Sequence, residues 1–313
     1  MRHKNTRKGS NLVSMKTPAL IPPLSMAANK GVQSPVAAGM PDVQASSDSR
    51  QVPIDKVGVK DVTYPIRLRV PKEFAGLMGS GDEQTTVATI SMYVSLPHYQ
   101  KGTHMSRFLE VLNEHAGMAA PGPISPEEIP QITAAIRERL DAEEAHFEAE
   151  FTYFIPRKAP VTGALGLMDY QVSFSCTSSR TGATDDFIMG VVAPGASLCP
   201  CSKEISKYGA HNQRCLVEAR VRFTGRMWIE DLAGTIEKSV SCPVFAVLKR
   251  PDEKYVTEAA YDNPKFVEDI IRDLALGLEA DERVTWYSIS SENFESIHNH
   301  NAYAEITRSK VGR

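Results

Sequence analysis

Two thiols separated by one proline, Cys199-Pro200-Cys201, are the residues whose type and spacing point most directly to chemistry. Proline fixes its own φ and removes a backbone donor, so both side chains are held on a defined bend. A thiol so placed can bind a metal ion or attack an electrophile, and Lys203 sets a positive charge close by. The pair is not the Cys-x₂-Cys of common structural zinc sites, and two small buried cysteines in a turn give the same trace. Twelve residues after Cys199, in Gly209-Ala210-His211-Asn212-Gln213-Arg214, an imidazole opens a strand. His211 can return to the cysteines there, as a ligand or as a proton shuttle.

Further groups follow. Glu253 falls in the polar stretch 249–257, expected as a loop, and Glu268 in the first turns of an expected helix, where an acid also complements the helix dipole. Glu295 and His298 are spaced i, i+3 in a stretch rich in Ser and Asn. A short helical turn would put that carboxylate and imidazole on one side, a mixed donor set with the thiolate. The segment Lys101-Gly102-Thr103-His104-Met105-Ser106-Arg107-Phe108 opens another helix, whose free N–H groups and Arg107 could meet a phosphate.

The elements that must position these residues fall into two similar passes. β-Branched, partly alternating strands are expected near 57–70 and 85–96, helices near 104–115 and 126–147, and strands near 149–156 and 166–178. The second pass gives strands near 186–193 and 213–224, helices near 228–239 and 263–280, and strands near 283–290 and 301–307. Helices come in pairs and not after every strand, so a duplicated ββααββ unit of α+β class is expected, with units over 51–180 and 181–313. Residues 1–50, rich in Ser, Pro, Gly, Ala and Asn, read as a mobile N-terminal segment.

Bulk composition excludes several functions. The net charge is −3, from 35 basic and 38 acidic residues, which gives no reason to expect a nucleic-acid or anionic-membrane surface. No run approaches the about 20 apolar residues of a membrane span. The basic start lacks the apolar core of a secretory signal, and five cysteines are an odd number. A cytoplasmic, reducing location is expected, with thiols buried, catalytic or metal-binding.

Taken in order, Val52-Pro53-Ile54-Asp55-Lys56-Val57-Gly58-Val59-Lys60, the 102–108 stretch, the 199–206 cysteine loop, Gly209–Arg214, Asn263–Asp269 and 292–304 resemble the type IB GTP cyclohydrolase I family from about residue 40 onward. The resemblance implies the tunnelling fold, with antiparallel sheets carrying helices on one face, and a homotetramer with active sites between subunits. It implies conversion of GTP and water to 7,8-dihydroneopterin triphosphate and formate in folate biosynthesis, with a divalent ion (zinc, manganese or iron). Cys199 then matches the essential cysteine and a metal ligand, Glu253, Glu295 and His298 match positions around the metal, and His211 a catalytic histidine. Cys201 matches the second loop cysteine, and Glu268 the glutamate that holds the purine edge. Lys203, Arg107 and Arg214 are candidates for the triphosphate. The same residues also suit a related cyclohydrolase making another dihydroneopterin phosphate, or a non-catalytic purine- and metal-binding module.

Overall fold

Along Glu144–Lys158 every second side chain is buried (Ala145, Phe147, Ala149, Phe151, Tyr153, Ile155), and this period of two makes the segment a strand with one dry face. The computed structural model describes residues 41–76, 81–116, 122–182 and 185–310. Its strands are β1 (Ile54–Arg69), β2 (Glu83–Leu96), β3 (Glu144–Lys158), β4 (Leu165–Ser179), β5 (Asp186–Leu198), β6 (Asn212–Phe223), β7 (Cys242–Pro243), β8 (Val284–Asn293) and β9 (Ala302–Ser309). They form one antiparallel sheet in the order β1-β2-β3-β4-β5-β6-β8-β9, with the short β7 pairing β5.

The helices are α1 (Met105–His115), α2 (Ile129–Arg139), α3 (Pro200–Ile205), α4 (Ile229–Ser239), α5 (Arg250–Asp262) and α6 (Val267–Ala280). Apolar residues at helical spacing turn one stripe of each long helix to the sheet: Ile129, Ile132 and Ile136 on α2, and Ile270, Ile271, Leu274 and Leu278 on α6. Each such side chain contributes about 1.5 to 3 kcal/mol of burial. The order strand-strand-helix-helix-strand-strand recurs as expected, and the second pass adds α3, β7 and α5.

The structure differs from the sequence reading at several places. The helix expected over 126–147 ends at Arg139, because Asp141 turns the chain with φ 50° and the alternation of β3 begins at Glu144. It is preceded by a 3₁₀ turn at Pro126–Glu128, where the Glu128 carboxylate accepts from the Ser125 N–H. The expected loop around 249–257 is helix α5. Its start carries Pro251, and Asp252 Oδ2 accepts from the Lys249 N–H at 2.9 Å, a capping arrangement. β5 runs five residues further than expected, to Leu198. Pro194 is tolerated there because β4 pairs no further than Val192.

Of the N-terminal segment expected over 1–50, residues 1–40 lie outside the described residues. Residues 44–48 run against 99–102, through Gly102 N to Gln44 O (3.1 Å), Lys101 N to Ser46 O (3.0 Å) and Asp48 N to Tyr99 O (2.9 Å). Among the described residues no helix is long and apolar enough to cross a membrane.

Candidate functional site

β5 delivers Cys199 to the end of the sheet, and the residues around it hold it there. Cys199 is the N-cap of α3: its Sγ accepts from the Ser202 N–H at 3.4 Å, and it is half-buried. Proline at the first helical position suits the turn, since its missing N–H would have had no partner in the helix. After α3 the chain reverses through Gly209, whose φ of +119° no β-branched residue would accept, and enters β6. The backbone N–H of Cys199 then donates to the carbonyl of His211 at 3.1 Å. The Ser202 hydroxyl donates to Cys199 O and accepts from the His211 N–H, both at 3.2 Å. Cys199 and His211 are thus brought together by three backbone-anchored hydrogen bonds.

A second set of bonds fixes the floor of the site. The buried Ser197 hydroxyl donates to Lys265 O (3.1 Å), and the Lys265 N–H donates to Leu198 O (3.0 Å). The Lys265 ammonium is itself buried, on Ser239 O at 2.8 Å and Asp273 Oδ2 at 2.7 Å. Asn263 Nδ2 donates to Val240 O and Ser241 O, and Leu198 N donates to Ser241 Oγ. The start of α6, which carries Glu268, is therefore tied to the end of β5, which carries Cys199. A Cβ on Gly195 would stand 2.6 Å from Val240 Cγ1, so only glycine lets α4's end approach β5 this closely.

His211 Nδ1 faces Gln213 Oε1 at 3.0 Å and Ser296 Oγ at 3.5 Å, which brings the loop after β8 against the imidazole. Glu295 in this loop is half-buried and His298 exposed. The expected helical turn is absent: residues 296–300 form bends, and the His298 ring stacks on His300 at 5.1 Å between centroids. The many Ser and Asn side chains favour local turns over a helix. Arg214 is exposed beside this loop, lining a cleft of about 450 Å³ with Gln213, Leu216, Phe294 and Ser296.

The remaining candidates lie differently. Cys201 is exposed in α3. The Lys203 ammonium donates to Tyr261 O at 2.5 Å and sits 4.3 Å from the Tyr261 ring centroid, so this charge anchors the end of α5. Glu268 is exposed in the first turn of α6. Glu253 is exposed in the first turn of α5, in a cleft with Arg250, Lys254, Thr257 and Glu258. Arg107 is half-buried in the first turn of α1, in the first pass. Among the described residues no three His, Cys, Asp or Glu side chains converge to hold an ion, so the set Cys199, Glu253, Glu295 and His298 is not assembled within one chain.

Sequence reasoning missed Ser197, Ser202, Gln213 and Asp252. Asp252 is fully buried and locks α5 to the β3–β4 turn, accepting from Val161 N, Thr162 N and Thr162 Oγ1 at 2.9, 2.9 and 2.7 Å. Burial pushes its carboxyl up, yet the bonds from Thr162, Lys249 and Val161 hold it well below the usual carboxylate range. Its signal was in the sequence: an acid two residues inside a Pro-led helix start.

Comparisons with known proteins identify the family of the chain. A family model described as Type I GTP cyclohydrolase folE2 matches residues 40–304. The protein named GTP cyclohydrolase FolE2 of Magnetococcus marinus is 54% identical over 85% of this chain and 94% of its own length. That of Geobacter sulfurreducens is 51% identical over 87% of this chain and 99% of its own. Among solved structures, the uricase from Arthrobacter globiformis covers 83% of this chain and 94% of its own at 10% identity and a TM-score of 0.45, too loose a likeness to bear on function.

Proposed function

This chain belongs to the type I GTP cyclohydrolase family described as folE2, and from that membership we propose that its Cys199–His211 end of the sheet opens the imidazole ring of GTP. The enzyme is a GTP cyclohydrolase of folate biosynthesis, of the kind termed IB: water adds at C8 of the purine, C8 leaves as formate, and the product is 7,8-dihydroneopterin triphosphate. The observation that carries this reading is the hydrogen-bonded union of Cys199 and His211 through Ser202 and the His211 carbonyl.

Each residue has a definite task. The Glu268 carboxylate accepts two parallel N–H bonds, from the guanine 2-amino group and the adjacent ring N–H, which fixes the base. His211 takes and returns protons at the ring nitrogens as the C8 bonds change. Cys199 supplies the thiol and Cys201 supports the loop. Arg214, beside the cleft under Ser296, is a cation for the triphosphate, with Lys203 and Arg107 as further candidates.

A divalent ion, zinc, manganese or iron, supplies the acidity that makes water a nucleophile near neutral pH. Cys199, Glu253, Glu295 and His298 are its proposed ligands, which one chain does not bring together. We further propose a homotetramer in which sites are completed between subunits, acting in the cytoplasm. Two units, 51–180 and 181–313, are the proposed domain plan. Incubation of the purified protein with GTP and each metal, followed by assay of formate and of the fluorescent oxidised pterin, tests the activity. Release of neither would reject it.

A further inference from the structure

The hydroxyl of Ser197 has a full set of partners, and their chemistry leaves one orientation for each. Its oxygen lies 3.1 Å from Lys265 O, 3.0 Å from Asn293 Nδ2 and 3.4 Å from Gln213 Nε2. A carbonyl only accepts, so the single hydroxyl proton goes to Lys265 O. Both lone pairs of Ser197 must then accept, one from each amide. Ser197 is 0% exposed and Asn293 2% exposed, so water does not offer an alternative. At its other end Asn293 Oδ1 accepts from the buried Ser291 hydroxyl at 3.2 Å, which satisfies the amide in this orientation.

With its NH₂ directed to Ser197, Gln213 has only its carbonyl oxygen left for His211. That oxygen stands 3.0 Å from Nδ1, and it cannot donate. An Nδ1 lone pair there would face an oxygen lone pair, so Nδ1 carries the proton. The Ser296 hydroxyl, the longer neighbour at 3.5 Å, can share that proton as an acceptor. In a neutral imidazole the lone pair is then on Nε2.

We infer that Gln213 is a positioning residue that fixes His211 in the Nδ1–H tautomer, its own orientation dictated by the Ser197 hydroxyl and through it by the Lys265 carbonyl. Ser197 and Gln213 are a directly paired couple across β5 and β6, which puts both side chains on one face of the sheet, next to His211 at the mouth of β6. The relay runs from the start of α6 to the imidazole. Seating of the Glu268 helix and orientation of the proton carrier therefore share one hydrogen-bond path. The inference rests on the reading of His211 as the proton carrier, which needs the Nε2 lone pair aimed at the substrate.

The test compares two variants with the wild-type enzyme. Gln213→Leu replaces the amide with an apolar side chain and removes both bonds, and Gln213→Glu keeps an acceptor for Nδ1–H. Gln213→Leu is expected to lower kcat by about ten- to a hundred-fold, the usual cost of losing an orienting partner, with KM for GTP nearly unchanged. Gln213→Glu is expected to recover most of that loss. Alongside, ¹⁵N spectra of histidine-labelled wild-type protein, with the His211 signals assigned by their disappearance in His211→Asn, should show Nδ1 protonated and Nε2 bare. An Nε2–H tautomer in the wild type overturns the inference whether or not either variant folds. So does a folded Gln213→Leu enzyme with wild-type kcat. Failure of the underlying reading looks different: His211→Asn would keep full turnover while the wild-type spectrum still showed Nδ1–H.

Discussion

The backbone N–H of Cys199 lies 3.1 Å from the carbonyl oxygen of His211, so two residues twelve apart, one carrying a thiol and the other an imidazole, are joined by one backbone hydrogen bond at the end of the β5–β6 ladder. That bond extends the sheet by one rung past Leu198 and Asn212, and it makes the spacing of the two side chains a property of the fold. The consequences can be measured.

Cys199→Ala should abolish turnover and lower the content of bound divalent ion. It removes the Sγ and the bond from Ser202 N, while α3 keeps its proline start. Cys201→Ala, at an exposed position in α3, should be milder. Kinetics and metal analysis on the same samples check this. Wild-type turnover and metal in Cys199→Ala would remove the loop from the mechanism.

Glu268→Gln should chiefly damage recognition of the base. A carboxylate accepts both guanine donors, whereas an amide must turn one donor toward another. A charge-assisted bond lost in this way is worth about 1.5 to 3 kcal/mol, or roughly 10- to 150-fold in kcat/KM. The thermal midpoint should hold, because Glu268 is exposed on α6. Normal kinetics would leave it a helix-dipole acid.

Glu230 gives a pH signature. Its carboxyl, on α4, is pushed up from 4.5 to about 6 by burial, with Asp231 adding to the rise and Tyr153 and Arg157 from β3 opposing it. Tyr153 Oη donates to Glu230 Oε1 at 2.7 Å. Across that window the folded chain keeps a proton that the unfolded chain has lost, so stability falls as pH rises from 4.5 to about 6 and then levels. The loss is on the order of 2 kcal/mol. Denaturant unfolding from pH 4.5 to 7 should show this slope flattened in Glu230→Gln, and an identical slope in both proteins would refute the assignment.

Removal of divalent ions by a strong chelator should stop GTP turnover, and manganese, iron or zinc should restore it. Because the four proposed ligands do not converge within one chain among the described residues, ion retention should weaken when the protein is diluted below its assembly range. Equal retention by a verified monomer would show that one chain suffices.

Strand and helix order was legible where a single period ran long, as in β4 and α6. It failed where two readings competed. Residues 140–147 continue a helical composition, which the positive φ of Asp141 and the alternation of β3 from Glu144 break. Helix α5 was hidden by a weak apolar stripe, since it buries only Asp252 and Ala260. At the site, Cys199 and His211 were legible because thiol and imidazole are rare and close in sequence. Ser197, Gln213 and Asn293 were not, because they act through contacts between strands. Ser197 meets Lys265 from 68 residues away and Asn293 from 96, and no local pattern marks either partner.

The most direct measurement is single-turnover release of formate from GTP by wild-type and His211→Asn protein at equal metal content. The proposed role of His211 predicts stoichiometric formate and a fluorescent oxidised pterin from the wild type, and a loss of about 10² to 10⁴ in rate for the variant, the range of general acid–base catalysis. Formate release at the same rate from both proteins would contradict it.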